Sequence, residues 1–325
     1  MNKRTWCCAA GITLLTAAAG MTALSHVLTQ KLVSLAVDRE TGGNEKTKAR
    51  VRRRLQGTSR NDRLDNEIRS AAEALKDRNS TEVSITATDG TVLVGHWIRC
   101  ENPKRIVVAM HGWRSTWFND FGTLAPFLQT SDCAVLYAEQ RGQNNSGGDC
   151  MGFGVTERHD CARWIEWATQ REPDLPVYAM GISMGATTVL MASDLPLSEQ
   201  VRGIIADCGF TSPRAIWQHV GKHNLHLGFG IRESAVRTLC RTRWNGENSD
   251  RSAADSLSKT SLPVLFIHGS DDNFVPVTMT YENYKACVSP KRLLIVPGAG
   301  HAASYVTDRR AYERSLCDFW NDCEE

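Results

Sequence analysis

Beyond the adjacent Cys7 and Cys8, the sequence has no closely spaced cysteine pair, although it holds eleven cysteines. A structural zinc site would call for CxxC-type pairs, so that class is excluded. The remaining nine are odd in number and scattered singly, and Cys208 and Cys287 fall in segments that read as core. A disulfide framework is therefore not the organising feature, and free, buried thiols are expected. Cys150 and Cys161 are the pair to examine first for a bridge. Strong charge of either sign is also missing. The formal net charge is +2, and the basic residues do not gather on any segment that carries chemistry, which argues against a nucleic-acid partner. No internal repeat is present.

What is there begins with an apolar N-terminus. Between Arg4 and Lys31 the only titratable side chain besides the two cysteines is His26, and WCCAAGITLLTAAAGMTALSHVL is long enough to cross a bilayer as a helix. Residues 1–37 are read as a single-pass membrane anchor. The alternative is a cleaved signal sequence and a secreted protein, since MNKR is a positive start and Ala17 and Ala19 supply small residues. Leu and Ile are sparse there, which favours neither reading. Residues 38–80 are a polar linker with the basic block KTKARVRRRLQGTSRNDR, read as a solvated helical segment or as a juxtamembrane segment attracted to anionic lipid. Lys3 and Arg4 compete with that block, so the side of the membrane is left open.

From residue 81 the pattern changes. EVSITA and TVLVGHWI flank Asp89-Gly90, a dipeptide suited to a hairpin turn. The runs RIVVAM, CAVLYAE, PVYAM, GIIADC, PVLFIHG and RLLIVPG then follow as strands. Helix-like stretches separate them, such as TERHDCARWIEWATQR, where Val155, Ala162, Ile165 and Ala168 can share one face. Regular alternation of strand and helix implies an α/β fold: a mostly parallel, doubly wound sheet preceded by an antiparallel hairpin. Residues 213–260 break the alternation with helical pieces and no strand, and read as a lid inserted over the strand ends.

Between a strand and a helix stands Gly181-Ile182-Ser183-Met184-Gly185, a G-x-S-x-G turn that lifts a serine from the sheet edge. The turn aims the Met184 backbone N–H at any anion forming beside Ser183. A serine nucleophile needs a base, and the base an orienting carboxylate. His301 in PGAGHAAS follows the last strand and is the candidate base. Asp272 in FIHGSDDNFVP is the preferred acid, with Asp271 and Asp207 as rivals. The second oxyanion donor is expected from the Trp113 backbone N–H in MHGWRST, with His111 bracing that loop. Trp117, Trp217 and Phe229, with Trp113, are candidate substrate-binding side chains; Leu225 and Leu227 add apolar surface to the lid. His26, His96 and His159 read as structural or surface groups, and His219, His223 and His226 belong to the lid.

The motifs HGWRS, YAEQRGQNNSGG, MGFG, GISMGATTVLMAS, IADCGFTS, HGSDDNFVP and VPGAGHAASY, in this order, resemble the α/β-hydrolase superfamily from about residue 82 to the C-terminus. More narrowly, the chain is similar to bacterial membrane-anchored serine hydrolases related to serine aminopeptidases. The resemblance implies Ser183 as nucleophile, Asp272 as acid, His301 as base, Trp113 and Met184 as oxyanion donors, and no cofactor or metal. It departs at Gln143, where many relatives carry a histidine. The expected activity is hydrolysis of a carboxylic ester or thioester with a small or lipid-like acyl group. A peptidase, with Glu233 or Arg232 as candidates for capturing a peptide terminus, an acyltransferase and a non-catalytic tethered binding protein are the alternatives.

Overall fold

The computed structural model describes residues 25–39, 62–224 and 233–324. Eight strands form one sheet: β1 (Thr81–Thr86), β2 (Val92–Ile98), β3 (Arg105–Met110), β4 (Cys133–Ala138), β5 (Val177–Ile182), β6 (Val201–Asp207), β7 (Val264–Gly269) and β8 (Lys291–Val296). Among the described residues, the helices are α1 (residues 25–37), α2 (Asp62–Lys76), α3 (Trp117–Phe121), α4 (Ala125–Thr130), α5 (Glu157–Arg171), α6 (Met184–Ala192), α7 (Pro213–His219), α8 (Glu233–Arg243), α9 (Ala253–Leu257), α10 (Val277–Ala286), α11 (Ser304–Thr307) and α12 (Arg309–Glu324). A π turn, Val220–Asn224, continues α7.

The sheet runs in the order β1-β2-β4-β3-β5-β6-β7-β8. It is antiparallel across β1–β2 and β2–β4, and parallel from β4 onward. Gly90 turns the hairpin at φ +85°, and Asp89 Oδ1 accepts the Thr91 N–H at 3.1 Å. Strands β3, β4, β5 and β7 are buried at every position, the mark of a sheet covered on both faces. Alternate side chains feed two cores. Ile106, Val108, Leu136, Ala179 and Phe266 enter one; Val107, Val135, Tyr137, Met180 and Ile267 enter the other. Each of the larger aliphatic and Phe side chains among them stabilises the fold by about 1.5–3 kcal/mol, so both faces of the sheet must be covered at once.

The buried stripe of α5 differs in detail from the sequence reading. Cys161, Trp164, Ile165 and Ala168 carry it, while Ala162 is only half-buried. The nine described cysteines are all free thiols, Cys150 and Cys161 included.

Only the last third of the anchor expected over residues 1–37 falls among the described residues. Residues 1–24 lie outside the described residues, as does the basic block over 46–61 that was read as part of the linker. Residues 25–37 do not stand apart from the domain. Thr29, Val33 and Val37, spaced four apart on one face of α1, are buried, and the two valines join the first core. Among the described residues no helix is long and apolar enough to cross a membrane. The linker is also shorter than expected, because α2 buries Ala72 and Leu75 against the domain and Leu75 joins the second core. The lid expectation covers α7, α8 and α9, with residues 225–232 outside the described ones.

Candidate active site

Gly181 and Gly185 are required by close approach. A Cβ on Gly181 would collide with the carbonyl of Gly185, and one on Gly185 with the carbonyl of Met110. The chain can then turn from β5 into α6 only through a strained residue at the apex. Ser183 takes that place, at φ +57° and ψ −116°. Its N–H is held by the Asp207 carbonyl at 2.8 Å, and its carbonyl caps Thr187 N–H at 3.1 Å.

The loops after β5, β7 and β8 leave the same edge of the parallel sheet, where strand ends gather side chains from distant sequence. His301 Nε2 lies 2.9 Å from Ser183 Oγ, and His301 Nδ1 lies 2.6 Å from Asp272 Oδ2. The Phe274 ring meets the imidazole edge-on at 5.0 Å. Asp272 Oδ1 accepts the N–H groups of Phe274 and Val275, each at 2.9 Å. Burial alone would push this carboxyl upward, but His301 and His268 outweigh it and hold Asp272 well below the usual carboxylate range.

The rival carboxylates are placed elsewhere. Asp271 is exposed and accepts Ser270 Oγ at 2.6 Å; it caps no helix, since α10 starts after Pro276. Asp207 is buried and accepts Ser304 Oγ at 3.0 Å. Burial pushes Asp207 up to about 6 against the opposing pull of His268 and the Ser304 and Tyr312 hydroxyls.

The loop after β3 lies against the serine. A Cβ on Gly112 would come within 3.3 Å of Ser183 Cβ. Three consecutive N–H groups lie here, and side chains take two of them. Gly112 N donates to Asp120 Oδ2 at 2.6 Å, and Arg114 N donates to Gln143 Oε1 at 2.6 Å. The Trp113 N–H between them has no side-chain acceptor among the described residues. Met184 is the first residue of α6, so its N–H has no partner in its own helix. Met184 follows the serine directly in the chain, and Trp113 follows Gly112, which lies against Ser183. His111 braces the loop as expected. Its Nε2 accepts Gln140 N–H at 3.1 Å, which leaves Nδ1 to donate to the Gly112 carbonyl at 2.8 Å, and burial lowers its pKa.

Not every expected pocket residue lines the cleft. Trp117 is a correction: its ring stacks on His96 at 4.4 Å and packs on Tyr137 at 5.3 Å, leaving 4% exposed, so it belongs to the core. Trp217 packs edge-on against Phe153 at 5.0 Å, and Trp113 reaches the same ring at 6.3 Å, so the two tryptophans meet across Phe153. Phe229, Leu225, Leu227, His226 and Arg232 lie outside the described residues. Glu233 is taken by Arg214 at 2.5 Å.

Sequence reasoning missed His268, Asp120 and the use of Gln143. His268 sits inside β7 four residues before Asp272, a spacing that gives no sign of contact in a strand, and only the turn after Gly269 folds the carboxylate back to 3.2 Å from its Nε2. Among the described residues, one group of side chains brings metal-ligating atoms together beside the serine. Cys208, Asp272 and His301 bring ligand atoms within 4.8 Å of one another, but burial raises the Cys208 thiol well above its ordinary value and the other two are bonded together.

Sheet, strand-to-helix turn and hydrogen-bonded row have the architecture of the α/β-hydrolase fold. The family model "Serine aminopeptidase, S33" matches residues 101–230. The chain is 23% identical over 258 residues to "Uncharacterized protein YqkD" of Bacillus subtilis, covering 78% of this chain and 83% of that one. In fold it is similar to the Pyrococcus furiosus esterase Pf2001, with TM-score 0.62 and 19% identity over 75% of this chain and 91% of that one. It is also similar to an acylaminoacyl peptidase of Pyrococcus horikoshii, with TM-score 0.56 and 15% identity over 77% of this chain and 43% of that one.

Proposed function

We propose that the protein is a serine hydrolase that cleaves carboxylic esters or thioesters through an acyl-enzyme on Ser183. The observation that carries this reading is the unbroken row Ser183 Oγ, His301 imidazole, Asp272 carboxylate, at 2.9 and 2.6 Å. In the first step Ser183 Oγ attacks the acyl carbonyl while His301 Nε2 takes its proton. The oxyanion is held by the N–H groups of Trp113 and Met184, dipoles already in place before charge develops. His301 then returns the proton to the leaving oxygen or sulfur. Water, deprotonated by the same imidazole, releases the acid and restores Ser183. Asp272 keeps the imidazole in the tautomer that accepts at Nε2 and stabilises the cation that forms.

Support for a partly apolar acyl group comes from the half-buried Trp113 and Trp217, which meet across the buried Phe153. Contact with a membrane is part of the proposal. Residues 5–24 carry no charged side chain, and since α1 packs on the domain, any anchoring falls to the sequence before it.

A second reading, a serine peptidase or aminopeptidase-like hydrolase, is favoured by the matching family model and the peptidase neighbour. Labelling of the full-length chain by a fluorophosphonate, lost in Ser183→Ala, is the expected result. Equal labelling of both, or of neither, would sink the proposal. Rates on p-nitrophenyl esters against acylaminoacyl anilides then separate esterase from peptidase, with esters expected to be faster.

A further inference from the structure

The last turn of a helix leaves its carbonyls without partners in the helix, at the negative end of the helix dipole. In α1 those carbonyls are capped by side chains from the loop that offers the Trp113 N–H. Trp113 Nε1 donates to the Ala36 carbonyl at 2.8 Å. Arg114 Nη2 donates to the carbonyls of Leu35 at 3.0 Å and Asp38 at 2.7 Å, and Nη1 reaches that of Arg39 at 3.4 Å. Arg114 is itself a non-glycine residue at φ +51°, a conformation that persists only where its surroundings hold it.

The same segment is tied on its other side. Met151 N donates to the Val37 carbonyl at 2.6 Å and Arg39 N to the Asp149 carbonyl at 2.7 Å, so the chain runs beside the loop after β4, with Asp38 bridged to Cys150. The Asp38 carboxylate pairs with Arg243 at the end of α8, at 2.6 Å. One short strap thus touches the donor loop, the Gln143 loop and the helix of the insertion.

We propose that residues 25–39 are a positioning element of the active site. They hold the turn over 112–114 in the shape that points the Trp113 N–H at Ser183, and they fasten α8 beside it. The inference rests on the hydrolase reading above and deepens it, since activity then depends on a segment lying before the catalytic domain in sequence. Valines 33 and 37 dock the strap; Trp113 and Arg114 carry its position to the oxyanion.

The test uses the full-length chain, with kcat and KM on p-nitrophenyl butyrate and the rate of fluorophosphonate labelling as readouts. A Trp113→Phe, Arg114→Ala double variant keeps the Trp113 backbone N–H but cuts the tethers. Its kcat is expected to fall about 10- to 100-fold, less than the roughly 10²–10³ lost when an oxyanion donor is removed outright, with KM within about threefold. Val37→Asp, which undocks the strap, should give the same loss, and combining all three changes should add little, because both act through one linkage. A folded double variant with kcat within about twofold of wild type, a higher kcat, or losses that multiply would overturn the inference. If Val37→Asp does not fold, the double variant decides alone. A wild-type chain that is not labelled removes the hydrolase reading and the inference together, whereas a labelled wild type beside an equally fast double variant removes only the inference.

Discussion

His268 Nε2 stands 3.2 Å from Asp272 Oδ2, the oxygen that His301 Nδ1 meets at 2.6 Å. Two imidazoles therefore share one carboxylate oxygen. The Val275 carbonyl, 2.9 Å from the same His268 nitrogen, accepts only, so Nε2 carries the proton, and Thr280 Oγ1 donates to Nδ1 at 2.7 Å.

His268→Leu removes one donor from Asp272 and leaves the carboxylate a stronger partner for the protonated form of His301, the base whose protonation sets the acid limb. The acid limb of the kcat/KM profile is expected to move to higher pH by about one unit, with stability lower by about 2 kcal/mol. His268→Gln, which can still donate, should restore most of the profile. A pH–rate series on the three proteins checks it; a limb that does not move would show that His268 has no hold on Asp272.

Replacing the orienting carboxylate gives a different signature. Asp272→Asn keeps shape but offers His301 the wrong partner, and kcat is expected to drop about 10⁴-fold with KM little changed. His301→Ala should cost at least as much. Steady-state kinetics on a fast p-nitrophenyl ester measures both, and a loss under about tenfold in either would break the proposed relay.

Asp120 and Gln143 occupy the neighbours of the Trp113 N–H. Asp120→Ala frees Gly112 N–H and the Ser115 hydroxyl, and Gln143→Ala frees Arg114 N–H, so the donor between them loses its fixed direction. Each change is expected to lower kcat about tenfold and stability by about 1–2 kcal/mol. Kinetics paired with urea unfolding separates the two effects. An unchanged kcat in either folded variant would mean that the loop keeps its shape without these acceptors.

Asp207 titrates at about 6 in the fold against an ordinary value of 3.8. The folded state holds this proton more tightly than the unfolded chain, so stability falls as pH rises between those values and levels off above them. Asp207→Asn cannot ionise, and its stability relative to wild type should improve by about 1–3 kcal/mol as pH rises from about 4 to 7. Urea unfolding across that range is the measurement. A difference independent of pH would show that Asp207 does not titrate there.

The fold was legible because its signals are local. Asp89-Gly90 needs a turn with positive φ, and unbroken apolar runs such as RIVVAM and PVLFIHG suit only a strand covered on both sides. Gly181 and Gly185 were legible for the same reason, since nothing with a Cβ fits so tight a turn. Strand ends then bring Ser183, Asp272 and His301 to one sheet edge, which chain order alone anticipates.

What tertiary structure decided is everything carried by contacts between segments whose own patterns are silent. Residues 25–37 are apolar enough to read as part of a membrane span, and only the docking of Val33 and Val37 on the core gives them to the domain. Trp117 and Trp217 look alike as candidate pocket walls, yet His96 and Tyr137 claim the first for the core. His268 is one more residue in a buried strand until the turn after Gly269 swings Asp272 back to it. Periodicity and turn chemistry set each element, because they act within a few residues. Partner choice for a carbonyl, an imidazole or a ring depends on which distant surface arrives there, and that is fixed only when the whole core is buried at once.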